Sequence, residues 1–223
     1  MKKNLFLLGL FLAFYTAKAQ NFDYGKPTAD EINLNTVSFS PEAPAVVLRE
    51  YGTSSIDFSE AALYVEFTHH VRLKILKNEG LQYGKVSIPL KINKKNRYEN
   101  MAGANRPIAA DEDDELLELK GLTINYNDGK AERTPLDNKK ITKTKKNTQI
   151  LLVEFDFPNV KEGSIVEYEY VVKMPGIQYY KRWDFQSLIP KLHSEYIATI
   201  PKNYEFDVSL RGDLKLSDTK AEV

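Results

Sequence analysis

Tyr64-Val65-Glu66-Phe67-Thr68-His69-His70-Val71-Arg72-Leu73-Lys74-Ile75-Leu76 decides the fold class. Val65, Phe67, His69, Val71, Leu73 and Ile75 fall at every second position, with Glu66, Thr68, His70, Arg72 and Lys74 between them. Successive side chains of a strand point to opposite faces, so this pattern makes a half-buried strand with one apolar side. Wound into a helix, the same apolar set would be scattered around the circumference. The run is long enough to bend or to serve two sheets.

The same period of two recurs downstream. Leu151, Val153, Phe155 and Phe157 share one face of Gln149–Phe157, and Val166, Tyr168, Tyr170 and Val172 share one face of Ser164–Lys173. Pro158-Asn159-Val160-Lys161-Glu162-Gly163 between them carries turn residues, which predicts an antiparallel hairpin with a six-residue loop. In Leu116–Tyr126 the apolar phase slips at Gly121, which suggests a β-bulge there. Asn127-Asp128-Gly129 is a strong hairpin turn. Further strands are expected at Ala45–Glu50, Gln82–Pro89, Lys139–Lys145, Glu195–Ile200 and Glu205–Arg211.

Residues 20–42 read as a polar lead-in with a short helix near Thr28–Leu34, and residues 93–114 as an irregular or helical insertion. Many short strands separated by turn signals predict an all-β fold, an antiparallel β-sandwich over residues 43–223. No fixed-period repeat is visible, which argues against a solenoid or propeller. The polar stretch Asp213–Val223 shows no closing strand, and the chain reads as the N-terminal part of a longer protein.

The start of the chain indicates a compartment. Lys2 and Lys3 precede an apolar run from Leu5 to Tyr15, and Ala17-Lys18-Ala19 follows. A basic start, an apolar core of about 7–15 residues and a small-x-small ending form an export signal, with cleavage between Ala19 and Gln20. The protein is thus expected in the periplasm, at the outer-membrane surface or outside the cell, without a mature transmembrane segment. The chain carries 31 basic and 31 acidic side chains; loss of Lys2, Lys3 and Lys18 with the signal leaves a formal balance of −3. Nothing in that balance suits nucleic acid. There is no cysteine, so disulfides and thiol chemistry are excluded and the core must carry the fold.

Candidate chemistry is sparse. His69 and His70 are adjacent on a strand and point to opposite faces, so they cannot jointly grip a metal. His69 is read as a hydrogen-bonded core residue and His70 as exposed; His193 stands alone. The acidic run Asp111–Glu115 lacks the glycine of a calcium loop and reads as a solvated stretch. In the predicted hairpin Glu154 would lie opposite Glu167, the equipment of a retaining glycosidase. The lysines of Lys139–Lys146 could instead neutralise these acids as a charge ladder. Tyr179, Tyr180 and Trp183 form an aromatic cluster that would stack on sugar rings if exposed, or cap the core if buried. Serine-hydrolase, phosphate-loop and dinucleotide motifs are absent.

Several stretches resemble the domain of unknown function 3857 family in the same order. They are Ala45–Leu48, His70–Leu76 with Glu79-Gly80, Asn127–Lys130, Phe157–Tyr170, Trp183–Gln186, Ile189-Pro190 and Ile200-Pro201. The resemblance implies an exported bacterial all-β domain that usually precedes a transglutaminase-like domain with a Cys-His-Asp arrangement. No catalytic residue of that arrangement can be carried onto this thiol-free chain, and no metal or cofactor is expected. The expected function is a non-catalytic structural or interaction module. Its partner would be a transglutaminase-like domain or an envelope protein. The alternative is a glycan-binding module using Trp183, Tyr179 and Tyr180.

Overall fold

The computed structural model describes residues 22–59, 62–92, 113–177 and 180–220. Among these residues nine strands form two sheets, and every strand pairing but one is antiparallel. The strands are β1 (Ala45–Ser59), β2 (Ala62–Ile75), β3 (Lys85–Lys91), β4 (Glu115–Asn127), β5 (Lys130–Pro135), β6 (Thr142–Lys145), β7 (Ile150–Asp156), β8 (Ile165–Pro175) and β9 (Ser194–Thr199). The larger sheet runs β5-β4-β8-β2-β1-β9 and the smaller β3-β7-β6. The all-β sandwich predicted from the periodicity is the observed architecture. Most of the insertion expected at 93–114 lies outside the described residues, as do Ala19 and Gln20.

Alternation fills the space between the sheets. Phe67, Val71, Leu73 and Ile75 of β2 and Val166, Tyr170 and Val172 of β8 meet Ile88 and Leu90 of β3, Val153 and Phe155 of β7, and Phe157. β2 stays within the larger sheet along its whole length.

The predicted hairpin of Gln149–Phe157 with Ser164–Lys173 is corrected. β7 and β8 belong to different sheets, and Pro158–Gly163 is an arch between them. An apolar residue at every second position satisfies either arrangement. In a hairpin the two apolar rows would lie side by side; here they face each other across a gap of about 10 Å, which six residues easily span. Asn159 and Gly163 supply the positive φ angles of the arch, 55° and 85°.

The bulge expected at Gly121 is also corrected. Register in β4 shifts between Leu116 and Glu118, so Leu117 is the extra residue. Gly121 remains in register opposite Tyr168, and a Cβ there would come within 2.9 Å of the Phe157 ring. The apparent phase slip arises because both faces are covered. Leu119 packs between the sheets, whereas Leu122 and Ile124 pack on the outer side. A second bulge, at Leu48, separates Val47 from Arg49 and turns Glu50 to the inner side.

Strand boundaries also differ from expectation, and β1 runs on past Glu50 to Ser59. Asn78–Gly84 and Asn138–Lys140 are 3-10 turns ahead of β3 and β6. Glu205–Arg211 forms no strand, although Tyr204, Phe206, Val208 and Leu210 alternate correctly. Val208 is 83% exposed, so the alternation finds no sheet edge to pair with among the described residues. The Asn127-Asp128-Gly129 turn is as predicted, with φ of 50° and 75° at Asp128 and Gly129.

The lead-in is a strap across the outer face of the larger sheet. It contains α1 (Ala29–Asn33), capped by Thr28 in a reciprocal box with Glu31. Tyr24, Ile32, Leu34 and Val37 cover Val46, Leu48, Leu122, Ile124 and Ile165. The strap also buries the polar side of the opening stretch. His70 and Arg72 are each 1% exposed, which corrects the reading of His70 as a surface residue.

Candidate functional site

Two buried polar clusters lie on opposite faces of the larger sheet. The inner one is built around Glu50, which the Leu48 bulge turns inward to the side of His69. The chain between β8 and β9 folds over this end of the sheet, and its return along β1 brings Lys191 and Ser194 to Glu50. Glu50 Oε2 accepts from Lys191 Nζ at 2.6 Å and from Ser194 Oγ at 2.7 Å. Glu50 Oε1 lies 3.1 Å from His69 Nε2, and His69 Nδ1 lies 3.0 Å from the Tyr170 hydroxyl. A carboxylate can only accept, so Nε2 carries the proton and Nδ1 accepts from Tyr170.

Electrostatics agree with that tautomer. Burial alone would raise the Glu50 pKa; the hydrogen bond from His69 and the Lys191 ammonium outweigh it and bring it down to about 2. Burial pushes His69 below its usual value, against the opposing pull of Glu50. Burial raises Tyr168 and Tyr170 far above the ordinary phenol. The cluster is therefore a carboxylate facing an ammonium, with a neutral imidazole bridging to a neutral phenol.

Trp183 forms the lid. Its indole lies on Gly52, where a Cβ would sit 2.2 Å from the ring, and Nε1 donates to Ser194 Oγ at 3.1 Å. The ring stacks on Tyr196 and meets His69 and Phe67 edge-on. Tyr180 donates to the Thr199 carbonyl at 2.8 Å and packs against Phe206. Tyr179 lies outside the described residues. The structure thus brings Trp183 together with His69, a pairing that separate reading of the two did not anticipate. Ser194 donates its proton to Glu50, not to an imidazole, and both nitrogens of His69 are occupied. A serine nucleophile needs a free base within reach of its hydroxyl; the arrangement here holds a segment in place.

The outer cluster centres on Arg72 and Glu167. The guanidinium donates to Glu167 at 3.0 and 3.1 Å, to Glu31 at 2.9 Å and to the Asp23 carbonyl at 2.7 Å. Glu31 also receives Arg49 at 2.9 Å, and Glu167 receives the Gly25 amide at 3.1 Å and His70 Nε2 at 2.7 Å. Phe22 stacks on the His70 ring at 3.8 Å and also lies under the Arg72 guanidinium. Burial, followed by the charges of Glu167 and Glu169, raises the Tyr24 hydroxyl well above the phenol range.

This geometry overturns the pairing of Glu154 with Glu167. Glu154 lies opposite Ser87 and Thr142 in the smaller sheet, and Glu167 lies opposite Arg72 and Leu122 in the larger. It overturns the charge ladder as well. β6 does run beside β7, but Thr142, not a lysine, faces Glu154. Arg72 neutralises Glu167, and Lys120 meets Glu169 at 2.7 Å. His193 is exposed beside Glu195. Among the described residues no group of three His, Asp or Glu converges as a metal site, and no helix is long and apolar enough to cross a membrane.

The family described as a domain of unknown function with a solved structure, DUF3857, matches residues 63–222. No curated protein sequence matches the chain. Among solved structures, the chain is similar to the crystal structure of a "putative protease" from Parabacteroides distasonis, with a TM-score of 0.42 and 9% identity. That likeness covers 60% of this chain and 24% of the other, so the chain spans about a quarter of that protein's length.

Proposed function

The chain belongs to the DUF3857 family, and on that premise we propose that it is an exported, non-catalytic β-sandwich module that supports a partner. The companion implied by the family resemblance is a transglutaminase-like domain; an envelope protein is the other candidate. One observation carries this reading. The polar groups buried at the inner cluster are spent on holding structure: Glu50 takes three side-chain donors, and His69 has both nitrogens bonded. The export signal at residues 1–19 supports a location in the periplasm, at the outer-membrane surface or outside the cell.

The glycan-binding alternative draws less support. The Trp183 ring already lies on Gly52 and stacks on Tyr196, contacts that a stacking sugar would have to displace.

The test uses the mature chain purified from an exporting host. It is assayed for amide transfer, peptide hydrolysis and glycoside hydrolysis, then mixed with a transglutaminase-like domain. The expected outcome is no turnover, together with a rise in the partner's melting temperature on mixing. Turnover that Glu50→Gln or His69→Ala abolishes in a still-folded chain would overturn the proposal.

A further inference from the structure

The lysines left over from the discarded charge ladder are the starting point. Lys139, Lys140, Lys143, Lys145 and Lys146 are all exposed, and among the described residues none has a carboxylate partner. β6 is the outer strand of the smaller sheet. Lys143 and Lys145 stand opposite Val153 and Leu151, both of which pack in the inter-sheet core. These two lysines therefore project from the core-facing side of an edge strand.

Lys143 lines a cleft of about 600 Å³, and Lys145 follows it on the same face of β6. Lys143 and Ile141 line one wall, and Leu116, Leu117 and Leu119 of β4 the other. This volume falls in the usual range for ligand sites, roughly 300–1,000 Å³. The β4 wall is open because β5 begins its pairing only at Leu122. Glu169 in the lining is already bound by Lys120 and His70, so within the lining Lys143 faces Glu118, and the surplus of lysines lies along β6 beside the cleft.

We propose that this cleft binds an extended acidic segment of a partner protein, laid along the edge of β6 that pairs with no strand among the described residues. Such a segment meets all three features at once. Its backbone pairs with the strand edge, its apolar side chains enter between Leu116, Leu119 and Ile141, and its carboxylates reach Lys143 and Lys145. A membrane surface is flat; it would touch Lys139, Lys140 and Lys146 and leave the apolar walls empty. Inward-pointing lysines also guard edges against unspecific pairing. Here the guard becomes a filter, because only a strand bringing acids can neutralise it. The inference rests on the interaction-module reading and names its partner class.

The experiment uses the chain and a labelled peptide of about ten residues that carries glutamate and valine in turn on one face of its extended form and threonine on the other, followed by fluorescence anisotropy. Binding should weaken about tenfold between roughly 50 and 300 mM salt. It should fall by about tenfold or more in Lys143→Glu/Lys145→Glu and in Ile141→Asp. Lys202→Glu/Lys215→Glu, the same charge change elsewhere, should leave it within about twofold. A lysine-substituted peptide should not bind. No binding, equal loss in the distant variant, or binding only to phosphatidylglycerol vesicles would overturn the inference. A transglutaminase-like domain that still binds Lys143→Glu/Lys145→Glu unchanged would sink the cleft while leaving the module reading intact.

Discussion

Replacing Arg72 by Met should be among the most damaging single changes in the domain. The guanidinium satisfies Glu167, Glu31 and the Asp23 carbonyl at once. Without it Glu167, at 0% exposure, keeps only His70 and the Gly25 amide. Removing one partner of a buried ion pair costs about 3–5 kcal/mol, because the other charge stays buried and uncompensated. For a domain of this size each kcal/mol lowers the melting temperature by about 2–4 °C, so a fall of roughly 10 °C follows. Arg72→Met/Glu167→Met removes both charges and leaves Glu31 with Arg49. It should lose less than the two single losses added, by about 2 kcal/mol. Thermal and urea unfolding would be followed by circular dichroism and by the fluorescence of Trp183, the single tryptophan. The loss should be nearly the same at low salt and in about 1 M salt, since screening acts on exposed charges. The strap should also loosen, so chymotrypsin should cut after Tyr24 faster in the variant. A single-variant loss below about 1 kcal/mol, or strict additivity of the two changes, would refute the assignment of the network as the strap's anchor.

Three further outcomes follow from the inner cluster and the turns. Gly52→Ala places a methyl group 2.2 Å from the indole; overpacking of this kind costs about 1–3 kcal/mol, and the Trp183 emission should shift to the red as the ring is lifted. An unchanged spectrum and melting point would show that the ring is not seated on Gly52. The shifts of Glu50 and His69 both make the unfolded chain bind more protons, so stability should fall on acidification. His69 contributes as pH drops below its unfolded value near 6.5, and Glu50 contributes between 4.5 and about 2. Glu50→Gln should remove the lower part of that slope, worth at most roughly 3 kcal/mol; a slope that survives intact would place the proton uptake elsewhere. Gly129→Val puts a β-branched residue at φ 75° in the β4–β5 turn and should cost about 1–2 kcal/mol, read by urea unfolding. No measurable loss would mean that the turn relaxes freely.

Strand positions were legible because burial on one face imposes a period of two, as in the opening stretch of β2. Strand partners were not. Alternating runs such as β7 and β8 satisfy a hairpin and an arch equally, and only the full set of strand edges chooses between them. The outer cluster was hidden for a related reason. Arg72, Lys74 and Glu167 read as solvent-facing because nothing local to them reveals a covering segment. The available signal lay forty residues upstream, where Phe22, Tyr24 and the Thr28–Glu31 capping box make an amphipathic strap. At the inner cluster Trp183 and His69 could be singled out by residue type, whereas Glu50 and Ser194, 144 residues apart, meet only through the parallel β1–β9 pairing. The Glu205–Arg211 segment shows the converse: correct alternation is insufficient without an edge to join.

That parallel pairing has a consequence for how the polypeptide matures. β1 is made first among the strands and receives its outer neighbour last, from residues 194–199. During synthesis its backbone amides on that side wait until residues 194–199 have been made. Distant pairings of this kind form slowly, and an uncovered strand invites self-association meanwhile. A polypeptide cut short before residue 194 should accumulate as sticky oligomers rather than as a smaller stable body, so quality control has to act on the chain until β9 clips into place.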